Sequence, residues 1–379
     1  MSALRVATRQ LFERLRDETV EVDAEFVVAP RSIEDAAEVI AVAAEAGAPV
    51  SFYGAGTHRD LGNPVDADVV ITSSAMKRII DYEPDDLTVR VDPGVTLGEL
   101  DKVLADRRLT AVLPETEPEA TIGGVLATGR SGFRRLRHGP TRDRVLQVTA
   151  ATGYGKVITG GSPVVKASTG YGMPRLFTGS LGSLGMIGPV LLKLWSEPMA
   201  TATVVAIAPE AARLSTYRPL AVLGTAGLGM NGTGALYLGG TQEEVEAQAE
   251  ALGGEVTDTL DWPGPHADPV RLSFRVPAGL VADAVARAES LGASSWIAQY
   301  GVGLVEAGYQ GLSADGFTAA RSWVESVGGS LVIEAGPAIL RAELGTWGAA
   351  PDSVGLQREI KQRFDPAGIC NPGILPGGV

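Results

Sequence analysis

Glycine is the residue to follow first in this chain of 379, because its 48 copies cluster. The groups are YGAGT (53–57), TIGG (121–124), ATGRSG (127–132), ATGYG (151–155), TGYG (169–172) and TGSLGSLG (178–185). A residue without a Cβ lets backbone turn sharply or come close to another group. Backbone N–H groups in a glycine-rich turn can donate, unobstructed, to the two negative charges of a dinucleotide pyrophosphate. GAGT at 54–57 suits that task, although it lacks the G-x-G-x-x-G spacing and early position of a Rossmann fingerprint. There is no G-x-x-x-x-G-K-[ST], which excludes a P-loop nucleotidase. ATGYG also reads as the turn of a hairpin.

The other chemistry-bearing residues are sparse. Arg134, Arg135, Arg137 and His138 form the one basic cluster in an acidic chain. Guanidinium forks pair with carboxylates, so the cluster reads either as a site for an anionic group or as a loop paired with local acids. The anion would be a substrate carboxylate or an acidic partner surface. Arg142 and Asp143 are expected to form an ion pair that fixes the following strand. Glu306 and Glu334 are available carboxylates at strand ends. Cys370 is the single cysteine, which rules out an intrachain disulfide and an iron–sulfur cluster held by this chain alone. His58, His138 and His266 lie far apart without zinc-site spacing, so no metal is expected.

The elements that must position these residues follow from the pattern. Near residue 26 the order is strand, helix, strand: FVVAP, then SIEDAAEVIAVAAEAG with Ser32 as N-cap and Gly47 as stop, then APVSFYG running into the glycine loop. Further strands are expected at 68–72, 87–91, 145–151 and 186–194, and a helix over 96–106 capped by Thr96. After a composition shift at 196–205, residues 270–336 read β-α-β-β-α-β, a ferredoxin-like unit, with a partial copy before it. QREIKQRFDPAGICNPGIL reads as a helix and then a docked strip.

The length accommodates two or three packed units. Hydrophobic residues at 45% and charged residues at 20% are those of an ordinary folded protein. The net charge of −13 has the wrong sign for nonspecific binding to nucleic acid or anionic lipid. The first residues read as neither signal peptide nor anchor, and no window reaches ~20 apolar residues. A cytoplasmic protein with no direct membrane span is expected.

Read in sequence, PRSIEDAAEVIAVAAEAGAPVSFYGAGT, LTVRVDPGVTLGEL, TIGGVLATGRSG, HGPTRDRVL and VVKASTGYGMPRLFTGSLGSLGMI resemble the FAD-binding module of the vanillyl-alcohol oxidase and p-cresol methylhydroxylase (PCMH) superfamily. Within it, SGFRRLRHGPTRDRVL, KASTGYGMPRLFTGSLGSLG and the tail FDPAGICNPG are similar to the FAD-binding subunit of glycolate oxidase. The resemblance implies an α+β protein: an N-terminal helix over 1–25, a two-lobed PCMH-type FAD-binding domain over 26–197, and an α+β cap over 198–345. A C-terminal helix and docking tail over 346–379 complete it.

By that resemblance Gly54, Ala55, Gly56 and Thr57 wrap the pyrophosphate. Pro114, Thr121, Ile122, Gly123 and Gly124 line the ribityl and flavin side, Thr128, Ser131 and Gly132 continue that wall, and Ile187 sits near the adenine. Relatives that bind flavin covalently use a histidine where this chain has Thr57, which implies noncovalent FAD. His58, one residue later, reads as a surface or second-layer residue. Lys166 reads as a phosphate contact or loop brace, and Tyr171 as a core aromatic.

The implied activity is oxidation of a small 2-hydroxy acid, with electrons passed to a homologous flavin subunit and an iron–sulfur subunit. The alternatives are a stand-alone FAD-dependent 2-hydroxy-acid dehydrogenase or oxidase, and a non-catalytic flavin-carrying subunit. No catalytic base is identified in the sequence.

Overall fold

Ser32 opens the first long helix: its Oγ accepts from the Asp35 amide at 3.1 Å, and Gly47 closes Ile33–Ala46 in the left-handed conformation at φ +67°. The helix turns Ile33, Ala36, Ala37 and Ile40 into a core shared with Val28, Val50 and Ile71 on one side and Ala151 and Met186 on the other. It is therefore the layer between two sheets. This arrangement is seen in a computed structural model that describes residues 10–17, 22, 24–162, 172–206, 208–228 and 234–379. Of the expected N-terminal helix, residues 10–14 are helical.

The first sheet is parallel, with Val69–Thr72 between Phe26–Val28 and Val50–Tyr53. All four residues of the central strand are buried, the pattern of a strand covered on both faces. The second sheet has five antiparallel strands in the order Ile79–Glu83, Thr88–Val91, Gly185–Lys193, Val145–Thr152, Val157–Gly161. ATGYG is its hairpin turn, with Gly155 at φ +72°. Helices Leu97–Ala105 and Ile122–Thr128 pack on this sheet through Leu100, Leu104 and Val125 against Val89 and Leu192. Thr96 forms a capping box with Glu99.

The remainder is one eight-stranded antiparallel sheet with more order than expected. Val270–Arg275, Val281–Ser290, Ser295–Gln299, Leu304–Tyr309, Ala314–Ser326 and Ser330–Ala335 make the βαββαβ unit, its strands ordered 2-3-1-4. The preceding copy is complete, not partial. Ala200–Ala206, Pro209–Ser215, Ala221–Ala226, Gly234–Gly240, Gln242–Leu252 and Glu255–Thr257 repeat the order 4-1-3-2. The two copies join where Ala221–Ala226 pairs with Ser295–Gln299.

The tail docks back. Helix Val354–Phe364 ends at Asp365, whose buried carboxylate accepts from the amides of Ile369 (3.1 Å) and Cys370 (2.9 Å) and from Lys361 Nζ (3.0 Å). The strip then bridges to Val50, and Asn371 Nδ2 donates to the Leu181 carbonyl. Cys370 is buried, and that burial pushes its thiol up beyond any physiological titration. Among the described residues no helix is long and apolar enough to cross a membrane.

Candidate functional site

The strand Val50–Tyr53 delivers the loop Gly54–Thr57 to the rim of a cleft of about 300 Å³. The opposite wall is the start of helix Ile122–Thr128, where the Thr121 side chain accepts from the Gly124 amide at 3.3 Å. Only glycine fits at 54, because a Cβ there would collide with Thr121 Oγ1. Gly56 takes φ +77°, which turns the loop over the cleft. Among the described residues the amides of Ala55, Gly56 and Thr57 have no hydrogen-bond acceptor. They form a set of free donors that fits a pyrophosphate.

The residues singled out in the sequence separate into three groups. Gly54, Ala55, Gly56, Thr57, Thr121, Gly124 and Thr128 all line this cleft. Pro114, Ser131 and Gly132 line a second, smaller cavity of about 50 Å³ beneath the eight-stranded sheet. Ile122 is fully buried, Gly123 packs against Pro93, and the Ile187 side chain lies in the core of the five-stranded layer. Lys166 and Tyr171 lie outside the described residues. The tail adds two cleft residues that the sequence reading did not place there, Asn371 and Ile374, and the helix Ala338–Leu344, which follows the last strand of the eight-stranded sheet, adds Arg341.

His58 is neither on the surface nor idle. Its Nε2 donates to Glu117 Oε2 at 2.6 Å, and its side chain keeps only 8% exposure. A carboxylate only accepts, so the bond assigns a proton to Nε2. Glu117 in turn faces Arg130 Nε at 3.5 Å. The other two guanidinium nitrogens of Arg130 reach Glu306 at 3.0 Å and Glu334 at 3.4 Å, on the two strands that flank Val270–Arg275 in the eight-stranded sheet. Arg275 closes the chain on Glu334 at 3.0 Å.

One arginine therefore holds three carboxylates from two domains. Burial alone would push Glu334 up, but Arg130 and Arg275 outweigh it and hold its carboxyl below the usual range. Glu117 behaves likewise: burial raises it, and the His58 hydrogen bond and Arg130 bring it lower. Sequence reasoning left Glu306 and Glu334 as unassigned acids and passed over Arg130. The available signal was a lone arginine between glycines in ATGRSG.

The basic cluster does not act as one surface. Arg134 Nε donates to Glu115 at 2.8 Å and its Nη1 to Glu197 at 3.4 Å. Arg137 Nη1 donates to the carbonyls of Arg218 and Gly239. His138 packs edge-on against Trp195 with centroids 5.8 Å apart. Burial, then the neighbouring Arg144 and Arg134, lower its pKa to about 4. Among the described residues, Arg135 is the one arginine of the cluster whose side chain has neither an acid nor a hydrogen-bond acceptor. The expected pair of Arg142 with Asp143 does not form: Asp143 meets Arg175 at 3.0 Å. The tight turn Thr141–Asp143 points neighbouring side chains apart. Buried Arg144 fixes the next strand instead, donating to the carbonyls of His138 (2.6 Å) and Gly139 (2.9 Å).

Residues 24–161 match the FAD binding domain family. Over 182 residues the chain is 30% identical to an uncharacterized FAD-linked oxidoreductase of Mycobacterium tuberculosis, covering 48% of this chain and 40% of that protein. It thus spans about two fifths of that relative. It is 28% identical over 342 residues to glycolate oxidase subunit GlcE of Escherichia coli, covering 86% of this chain and 92% of that subunit. Glycolate oxidase subunit GlcD of Bacillus subtilis is 30% identical over 183 residues, 48% of this chain and 39% of that one. Among solved structures, alkyldihydroxyacetonephosphate synthase superposes with a TM-score of 0.64 at 16% identity, over 93% of this chain and 76% of that one, a likeness of fold.

Proposed function

We propose that this chain, which carries an FAD binding domain over residues 24–161, is the flavin subunit of a glycolate-oxidase-like complex. The complex oxidises a small 2-hydroxy acid and passes the electrons to partners, a homologous flavin subunit and an iron–sulfur subunit. The observation that carries the reading is the cleft between the free amides of Ala55, Gly56 and Thr57 and the wall at Thr121 and Gly124.

In this reading Gly54 to Thr57 hold the pyrophosphate, and Thr121, Gly124 and Thr128 flank the ribityl chain. Pro114, Ile122, Gly123, Ser131 and Gly132 form the backing of that wall, and Ile187 offers the adenine end its backbone alone. FAD, when bound, supplies the acceptor for a hydride. The attachment is noncovalent, since Thr57 carries no imidazole and His58 Nε2 is engaged by Glu117.

Two observations support chemistry shared with a partner. The similarity to subunit GlcE runs over 92% of that protein. Arg130, the cation beside the flavin wall, is already surrounded by Glu117, Glu306 and Glu334. A substrate carboxylate brought there would meet three like charges.

The purified chain should be yellow, with bands near ~370 and ~450 nm, because the cofactor carries its own chromophore. Acid precipitation should leave the flavin in solution. Mixed anaerobically with glycolate or D-lactate, the chain alone should stay coloured and should bleach once its partner subunits are added. Bleaching by the chain alone would overturn the subunit reading in favour of a stand-alone enzyme. Protein that remains colourless in excess FAD would remove the cofactor assignment itself.

A further inference from the structure

Between the strands Val50–Tyr53 and Val69–Thr72 lie fifteen residues with neither helix nor strand, and they begin with the glycine loop. Ordering a segment of that length is opposed by conformational entropy, so contacts from outside must hold it. Among the described residues its only internal backbone bond runs from the Leu61 amide to the His58 carbonyl at 3.2 Å.

The part just past the glycines is held from the C-terminal end of the chain. Arg341, on the helix Ala338–Leu344, donates from Nη1 to the carbonyls of Asp60 (2.9 Å) and Gly62 (3.2 Å). Its Nε donates to the Gly336 carbonyl at 3.1 Å. The Thr346 hydroxyl reaches the same Gly62 carbonyl at 3.3 Å. From the tail, the Ile374 carbonyl accepts from the Asn63 amide at 3.0 Å, and the Gly373 carbonyl from the Asn63 side chain at 2.8 Å. Gly62 takes φ +101° with Ile374 packed against it, so no side chain fits there.

Arg341 is 9% exposed and lines the cofactor cleft. Among the described residues the one acid in that lining is Asp60, whose half-exposed carboxylate stays 3.6 Å from the guanidinium. A buried cation held mainly by neutral carbonyls is short of negative charge.

We propose that Arg341 is the positioning residue of the cofactor loop. It fixes the turn at Asp60–Gly62 and so keeps the amides of Ala55, Gly56 and Thr57 aimed into the cleft, where a diphosphate also supplies the missing negative charge. This role rests on the reading of those amides as the diphosphate site. The planar fork is what grips, because it donates to three carbonyls at fixed angles. A lysine would keep the charge and lose the grip. The glycine loop therefore belongs to the first domain in sequence but takes its shape from a helix that follows the eight-stranded sheet.

The test compares the full chain, with its flavin removed, with Arg341→Gln and Arg341→Lys. Amide hydrogen exchange of the peptide covering residues 58–63 should quicken at least tenfold in both variants, and by a larger factor than in the strand Val145–Thr152. FAD affinity in a fluorescence titration should fall about tenfold in both, the scale of one or two lost hydrogen bonds. Riboflavin, which has no phosphate, should keep its wild-type affinity. Equal quickening in the strand, or equal loss for riboflavin, would make Arg341 a general support and overturn the role. Full rescue by lysine would overturn it too, since charge alone would then suffice. Arg358→Gln, the same change at an exposed residue bonded to the Gly377 carbonyl, should move neither reading. Thr346→Val keeps Arg341 and removes one bond to the Gly62 carbonyl, so it should fold and shift both readings about threefold in the same direction. It decides the matter if Arg341→Gln does not fold, and no shift would count against the grip. A wild-type chain that binds no FAD would remove the cofactor reading, while hydrogen exchange would still judge the hold on the turn.

Discussion

A methyl group on Gly54 is the smallest change that tests the cofactor cleft. Gly54→Ala places a Cβ on Thr121 Oγ1, and relieving such overpacking costs about 1–3 kcal/mol. The loop must lift away from the helix start, so FAD affinity should fall at least tenfold in a fluorescence titration. Wild-type affinity in that variant would detach the loop from the cofactor. The ion cluster makes a different kind of claim. Glu334→Gln leaves Arg130 and Arg275 short of a carboxylate in a largely buried setting, and breaking such a pair costs about 3–5 kcal/mol. Urea unfolding should show it; a loss below about 1 kcal/mol would mean that water, not Glu334, carries that charge. None of this cluster was legible in the sequence. Glu117, Arg130, Glu306 and Glu334 meet only through tertiary contact across two domains. The glycine loop was legible because its chemistry is local, written in four consecutive residues at the end of a strand.

Elements with strong local signals were readable for the same reason. Ser32, Thr96 and Gly47 announce the ends of their helices by capping chemistry, and alternating residue types mark the strand Val270–Arg275. The first ferredoxin-like copy was hidden because its opening helix, Pro209–Ser215, has only seven residues and no side-chain cap. The tail was readable as docked but not as part of the cleft. Its key residue is Asn371, which meets the Ser51 hydroxyl at 2.7 Å and donates to the Leu181 carbonyl at 2.6 Å. Asn371→Ala leaves Ser51 and Leu181 with buried unsatisfied groups, at about 1–3 kcal/mol each. The melting temperature should fall, and FAD affinity with it, because the strip lines the cleft beside Gly182. A variant that loses stability yet binds FAD normally would separate the tail from the site.

On the scale of the whole molecule, acid should unfold the protein in two stages. His138 has its pKa lowered from 6.5 to about 4, so its contribution is complete above pH 6.5 and fades as pH falls toward 4. Glu117 and Glu334 are held below their ordinary 4.5, so theirs is lost as pH drops below that value. Thermal melts from pH 8 to 3.5 should show a gentle decline and then a steeper one. His266, which burial also holds below its ordinary value, shares this stage, so His138→Gln should shrink the first stage and leave the second as it was; an unchanged first stage would refute the assignment.

The eight-stranded sheet ends in two dissimilar rims. Glu255–Thr257 is three residues long and exposed along its length, led by a charge. At the other end, Ser330–Ala335 is covered where the Ile333 amide donates to the Thr346 carbonyl at 3.0 Å. A long bare strand at either rim would be a template for another chain. Here one rim is short, and at the other the Ile333 amide is already taken by Thr346. A strand added to this sheet would find only three residues to pair with at one rim, and at the other would have to displace the Thr346 carbonyl.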